Sequence, residues 1–298
     1  MGCKVPDDGR ALANSAGQLA AATKFTAALS YNARRNFPQW CRVLVRPARA
    51  KTPDLPTNAI AAIVFTLVAV VASMFLIDVA ATDWSRHLPH WFTEMFEQIT
   101  NAGYSGWFLI PSALIVLCLA ALTSPAVPRP TQGVLAALGA RFGFLFVAVA
   151  VPGLFTTIVK RLIGRARPYV DIPGDPFTFM PFAWRSEYAS LPSGHATTAA
   201  SVAFAIGAMW PRTRWVMWLY ALVIMFSRVV VQSHHPSDVI AGALVGTIGA
   251  ALVRRWFAAR HLVFSARNLL AYPGPSLRRI NAAIRRAVSG SWECSQRL

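Results

Sequence analysis

The sequence predicts an all-α, polytopic membrane protein built as a six transmembrane helix bundle. Three observations predict it. Of 298 residues, 55% are hydrophobic and only 14% are charged, a surplus of apolar side chains that a disordered basic chain lacks. Those apolar residues gather into six runs of roughly 15–20 residues, near or slightly below the usual bilayer-crossing length. The charge is uneven as well. Residues 1–56 hold nine Lys/Arg against three acids, and residues 254–298 hold nine against one. The tails therefore carry +14 of the net +17, and the 197 residues between them carry +3. A weakly charged apolar middle between basic tails points to a membrane, and no nucleic acid partner is expected.

Residues 1–56 show no sustained period and read as a basic, disordered cytoplasmic tail. The six runs follow within 57–253, at 60–79, 107–122, 142–159, 196–210, 215–231 and 239–253. The first is convincing alone, whereas the fourth and sixth are short and rich in small residues. Gly242, Gly246 and Gly249 allow helices to approach closely in lipid. A soluble protein of buried helices is the alternative for the shorter runs. Between the first two runs, Leu88, Trp91, Phe92, Met95, Phe96 and Ile99 share one helical face, either packing or lying in the interface. Residues 254–298 form the second basic cytoplasmic tail. There Leu277, Ile280, Ile284 and Val288 oppose Arg278, Arg279, Arg285 and Arg286, as in a helix lying on anionic lipids at the cytoplasmic face.

Cys3, Cys41, Cys118 and Cys294 show no paired spacing, so neither a disulfide framework nor a zinc site is expected. The first thirty residues lack the apolar core of a secretory signal. Pro6 stands where a myristoylation motif requires Ser or Thr.

Six crossings put both termini on one side, and the Lys/Arg excess marks that side as cytoplasmic. Arg129, Arg141, Arg212 and Arg214 then fall inside, and loop 80–106 falls outside with Arg86 alone. Loop 160–195 breaks the rule, because Lys160, Arg161, Arg165, Arg167 and Arg185 all fall outside. An anionic ligand is the natural reason.

Three polar blocks meet at this outer face: Lys160 to Pro168, Pro192-Ser193-Gly194-His195, and Ser227-Arg228 through His234 to Asp238. Each residue type suits a phosphate. Arg167 and Arg228 offer forked donors and Lys160 a point charge. Ser193 and Gly194 open a helix whose free N–H groups attract anions. Arg228 lies inside an apolar run, where arginine is costly without a polar cavity. His234 and Asp238 are four apart, so a carboxylate can orient one imidazole for attack on phosphorus while His195 serves as the acid. Singly, these residues have duller readings: a helix start, a topology anchor, an interfacial histidine. His87, His90 and His261 are read that way, Arg161 and Arg165 as spacers or steering charges, and Arg185 as solvated charge. His235 also lies near Asp238. No carboxylate cluster has metal-ligand spacing, so a site without metal or cofactor is expected.

The spacing Lys-x6-Arg-Pro, Pro-Ser-Gly-His, Ser-Arg-x5-His-x3-Asp resembles the three-part signature of the type-2 phosphatidic-acid phosphatase superfamily, matched at every position. The likeness implies metal-independent hydrolysis of a lipid phosphate ester or diphosphate through a phosphohistidine. His234 would be the nucleophile, His195 the general acid and Asp238 the residue orienting His234. Lys160, Arg167, Ser193, Gly194 and Arg228 would bind the phosphoryl group. Lipid A 1-phosphate, undecaprenyl diphosphate, phosphatidylglycerol phosphate and phosphatidic acid are the candidate substrates. The six spans argue against the family's soluble haloperoxidases. A headgroup transferase stays open, as does a non-catalytic lipid-binding adaptor. The expected location is a bacterial inner membrane, with the active site periplasmic. Loop 169–190, with Pro173, Pro176, Pro181 and several aromatics, is either a substrate lid or packing over the bundle.

Overall fold

A computed structural model describes residues 8–54, 57–170 and 175–296. Among them are ten α-helices: α1 (Asp8–Val45), α2 (Thr57–Leu76), α3 (Asp78–Arg86), α4 (His90–Asn101), α5 (Gly106–Leu122), α6 (Arg129–Ile163), α7 (Gly194–Met209), α8 (Arg214–Val230), α9 (Pro236–Ala259) and α10 (Leu277–Gln296). Isolated bridges pair Arg165 with Phe179 and Phe264 with Ala271, and no strand occurs among the described residues. The all-α prediction holds. Helices α2, α5, α6, α7, α8 and α9 stand at the six predicted runs. Among the described residues five segments are long and apolar enough to cross a membrane: Asn58–Leu76, His90–Leu122, Arg129–Ile163, Pro211–Val230 and Pro236–Ala259. The 16-residue α7 is shorter than a usual crossing helix. Cys3 and Pro173 lie outside the described residues.

The chain forms two compact units. One comprises Met1–Arg46, Leu114–Ala140 and Pro273–Leu298. Its first segment departs from the predicted disorder, because residues 8–45 are the single helix α1. Alanine supplies the reason: an alanine-rich segment has high helix propensity without any apolar stripe to read. Tertiary contact adds to it, since α1 packs against α10 and Asn36 donates to the carbonyls of Ala120 (2.9 Å) and Thr123 (2.5 Å). Leu119, Val127, Leu135 and Ala287 form the small core of this unit. The buried face of α10 is Ala283 and Ala287, while Leu277, Ile284 and Val288 of the predicted stripe point outward.

The second unit comprises Pro47–Ala113 and Arg141–Tyr272. Helix α7 is its centre, with Ala196, Ala199, Ala200 and Ala203 buried against Ala221, Ile224 and Met225 of α8 and Val239 of α9. Small residues make this possible. A Cβ on Gly242 would lie 2.5 Å from the Ser193 carbonyl oxygen, and one on Gly246 would lie 2.3 Å from that of Thr197. Polar contacts join the same helices, with Thr156 and Thr197 hydroxyls 3.0 Å apart and Ser201 Oγ donating to Gly246 O (3.2 Å). In α4 the amphipathic face divides. Phe96 is buried with its ring 5.5 Å from that of Phe226, and Ile99 packs on the core, whereas Trp91 and Met95 are exposed.

Candidate active site

Helix α6 carries Lys160 in its last turn and stops before Gly164. Gly164 has φ +64°, and a Cβ there would collide with the Met180 backbone, so only glycine makes this turn. The chain then doubles back in extended form. Ala166 N–H donates to Thr178 O (2.9 Å), Met180 N–H to Gly164 O (2.7 Å) and Arg167 N–H to Glu187 O (2.9 Å). These bonds fix the direction of Arg165 and Arg167.

The second block begins α7. Ser193 is its N-cap, its hydroxyl accepting from Ala196 N–H at 3.5 Å. The Ser193 N–H donates to the Asp238 carbonyl (3.0 Å), which ties the start of α7 to α9. A Cβ built on Gly194 meets nothing within 4 Å, so space lies over the helix N-terminus. His195 follows in the first turn and packs beside Gly103.

The third block is the turn from α8 to α9. Arg228 lies in the last turn of α8, and its carbonyl accepts from the N–H groups of both Ser233 (3.1 Å) and His234 (3.2 Å). That pair of hydrogen bonds closes the turn, and Pro236 starts α9 at a position where no N–H is needed. His234 and Asp238 are buried and lie 3.8 Å apart, Nδ1 to Oδ2. This is an ion-pair separation, longer than a hydrogen bond. Burial pushes the His234 imidazole down to about 4, Asp238 pulls the other way, and Arg228 and Arg167 add to the fall.

The three blocks meet, as topology predicts. His195 lies within electrostatic reach of Arg228, His234, Arg167 and Lys160. Arg228 Nη1 donates to Thr100 Oγ1 of α4 (2.7 Å). The Nε atoms of Arg167 and Arg228 are buried with no protein partner. Two guanidiniums with unsatisfied donors, a lysine and an open helix N-terminus suit a tetrahedral oxyanion. Among the described residues no group of three or more His, Cys, Asp or Glu side chains is placed to hold a metal ion.

Arg165 belongs to neither of its predicted roles. It is fully buried, and its guanidinium bridges Asp78 (Nη2 to Oδ2, 2.8 Å) and Asp238 (Nη1 to Oδ1, 2.5 Å). Arg161 donates to the carbonyls of Trp184 (2.7 Å) and Arg185 (2.9 Å), tethering the outer loop. Arg185 is exposed, as are His87, His90 and His261. His235 is buried, with Nδ1 3.3 Å from Thr82 Oγ1, and its backbone N–H donates to Asp238 Oδ2 (3.0 Å). Sequence reasoning missed Asp78, Thr100 and Ser190. Asp78 had a signal, as the one ionisable residue in the run 60–79.

An apolar groove of about 690 Å³ opens beside this turn, between Val229 of α8 and Pro236 of α9. It continues along α9 to Leu252 and Arg255, with Ala59, Ile63 and Thr66 of α2 on one wall.

Residues 141–262, which contain every predicted site residue, match the family model described as the PAP2 superfamily. The chain is 34% identical over 228 residues to the lipid A 1-phosphatase of Rhizobium johnstonii, covering 76% of this chain and 91% of that protein. It is 29% identical over 104 residues to the undecaprenyl-diphosphatase of Sulfolobus acidocaldarius, covering 33% of this chain and 50% of the relative. Among solved structures it is similar to a transmembrane PAP2-type phosphatidylglycerolphosphate phosphatase from Bacillus subtilis. That likeness has a TM-score of 0.45 and 22% identity, over 65% of this chain and 93% of the other.

Proposed function

This chain belongs to the PAP2 superfamily and is a multi-pass membrane lipid phosphate phosphatase; from that premise we propose that it removes the 1-phosphate of a lipid A-type glycolipid without a metal ion. The lipid A 1-phosphatase likeness, which spans 91% of that relative, carries the substrate reading. Undecaprenyl diphosphate, phosphatidylglycerol phosphate and phosphatidic acid are the comparison substrates.

In this reading Lys160, Arg167, Arg228, Ser193 and the Gly194 backbone hold the phosphoryl oxygens. His234 attacks phosphorus through Nε2, and the bond from phosphorus to the lipid oxygen breaks. His195 gives its proton to that leaving oxygen. Water then attacks the phosphohistidine, His195 takes the water's proton, and cleavage of the P–N bond releases phosphate and neutral His234. Asp238 favours the positive ring that develops during attack. The cationic oxyanion site supplies the charge stabilisation that a metal supplies elsewhere. The groove along α9 suits an acyl chain of the lipid.

In the same reading α2, α5, α6, α7, α8 and α9 each cross, which would put both termini in the cytoplasm and the site at the periplasmic face of a bacterial inner membrane. The outward stripe of α10, flanked by Arg278, Arg279, Arg285 and Arg286, suits contact with anionic lipids of the cytoplasmic leaflet.

The test is phosphate release by purified protein in detergent, with the four lipids and with or without EDTA. Lipid A 1-phosphate is expected to be the best substrate, chelation to leave activity intact, and His234→Ala to abolish it. Loss on chelation refutes the metal-free reading, and activity surviving in His234→Ala refutes the nucleophile. Preference for another lipid overturns the substrate reading.

A further inference from the structure

Asp238 stands too far from His234 for a direct hydrogen bond, Nδ1 to Oδ2 being 3.8 Å, and its oxygens accept from other groups. Oδ1 accepts from Arg165 Nη1 at 2.5 Å. Oδ2 accepts from Ser190 Oγ at 2.5 Å and from the His235 N–H at 3.0 Å. The His234 ring stands 3.8 Å from Oδ2 but 3.4 Å from Ser190 Oγ. Ser190 is fully buried, and its backbone N–H donates to the Arg165 carbonyl (3.1 Å).

We propose that Ser190 is a positioning residue that fixes the tautomer of His234 and transmits the charge of Asp238 to it. The argument is one of donor counting. A serine hydroxyl has one proton and two acceptor lone pairs. An ionised carboxylate only accepts, so the short bond to Oδ2 uses the Ser190 proton. What Ser190 then presents to His234 Nδ1 is a lone pair, and a lone pair is matched only by an N–H. The proton of the neutral imidazole therefore sits on Nδ1, and the nucleophilic lone pair sits on Nε2. As attack makes the ring positive, the Nδ1–H to Ser190 to Asp238 chain tightens and draws that charge toward the carboxylate.

Arg165 orients the carboxylate at the end of this chain. Its bond to Oδ1 holds Asp238 with Oδ2 on the Ser190 side. Asp78 in turn holds Arg165 from the far side, directly through Nη2 and through the Ser237 hydroxyl, which accepts from Arg165 Nη1 and donates to Asp78, while the Ser237 N–H fixes Asp78 itself. Neither Ser190 nor Asp78 is part of the three-block pattern. Both act through Asp238.

The proposal rests on His234 being the nucleophile, and the test separates the two claims. Ser190→Ala, Asp238→Asn, the double variant and His234→Ala are assayed for kcat and KM on the same lipid phosphate. Ser190→Ala is expected to lose about 10–100-fold in kcat, by analogy with the loss of a hydrogen-bond partner that orients a metal-ligating histidine. Its KM should change little, since Ser190 does not belong to the oxyanion site. With the relay gone, Asp238→Asn should cost much less in the Ser190→Ala background than in the wild type. A Ser190→Ala variant within twofold of wild-type kcat, or fully additive losses in the double variant, overturns the relay if His234→Ala is inactive. Should His234→Ala retain activity, the nucleophile reading itself falls, and the relay with it.

Discussion

Gly242 links the packing of the bundle to its chemistry, and Gly242→Ala should damage both. A Cβ there would stand 2.5 Å from the Ser193 carbonyl oxygen and 3.0 Å from Ala196 Cβ. Carbon and oxygen settle at about 3.3–3.6 Å even in favourable contacts, so the start of α7 must retreat by about 1 Å. Neither obstacle is the end of a flexible side chain. Overpacking of this kind costs about 1–3 kcal/mol of stability. Because Ser193, Gly194 and His195 ride on the displaced turn, the same shift should lower kcat about 10²-fold. Gly249→Ala is the control. Its Cβ would come 2.6 Å from Pro152 Cβ, a similar overlap, about two turns further along α9 from the site. It should lose similar stability and much less kcat. Phosphate release and thermal unfolding on the same detergent preparations decide the matter. A Gly242→Ala enzyme with kcat within threefold of wild type, or a Gly249→Ala enzyme equally slowed, refutes the reasoning.

Two further outcomes follow from the site's electrostatics. Burial holds His234 neutral down to about pH 4, and in the proposed mechanism the neutral ring is the attacking form. The acid limb of kcat/KM should therefore fall near pH 4, not near the ordinary 6.5 of histidine, once the substrate's separately titrated second ionisation is subtracted. A limb at 6.5 contradicts the burial argument. Since the folded value is depressed, His234 contributes stability that is fully present above 6.5 and is lost as pH falls through 4. Arg165→Gln leaves two buried carboxylates without their cation and should cost about 3–5 kcal/mol in unfolding. Arg161→Gln, which loses only exposed bonds to loop carbonyls, should cost under about 1 kcal/mol. Equal losses in denaturant titrations contradict that contrast.

The six apolar runs and the three polar blocks were legible because each is local. Hydropathy locates a helix within a few residues, and crossing parity brings the ends of alternate loops together. The spacing of His234 and Asp238 was legible too, since residues four apart share a helical face. Their actual relation was not. Asp78 lies 160 residues before Asp238, and no periodicity records that α3 delivers its carboxylate beneath α9. Its presence in an apolar run was the available clue. Ser190 had none, being one serine in a loop of mixed composition. Arg165 was misjudged because a cation beside the candidate phosphate-binding cations looks like one of them, and only burial between two carboxylates separates it. The tail helix α1 escaped for the opposite reason, since alanine favours helix without writing a pattern.

Asp238 has a second use that follows from its backbone. Its carbonyl accepts from Ser193 N–H at 3.0 Å while its side chain serves the His234 side of the site. One residue therefore gauges the gap between the start of α7 and the His234 ring, which in the proposed mechanism receive the anion and attack it. Any breathing of α7 away from α9 would strain both connections together, so the two halves of the site open or close as a unit. On that mechanism a lipid must bring its phosphate into a gap whose width is already set.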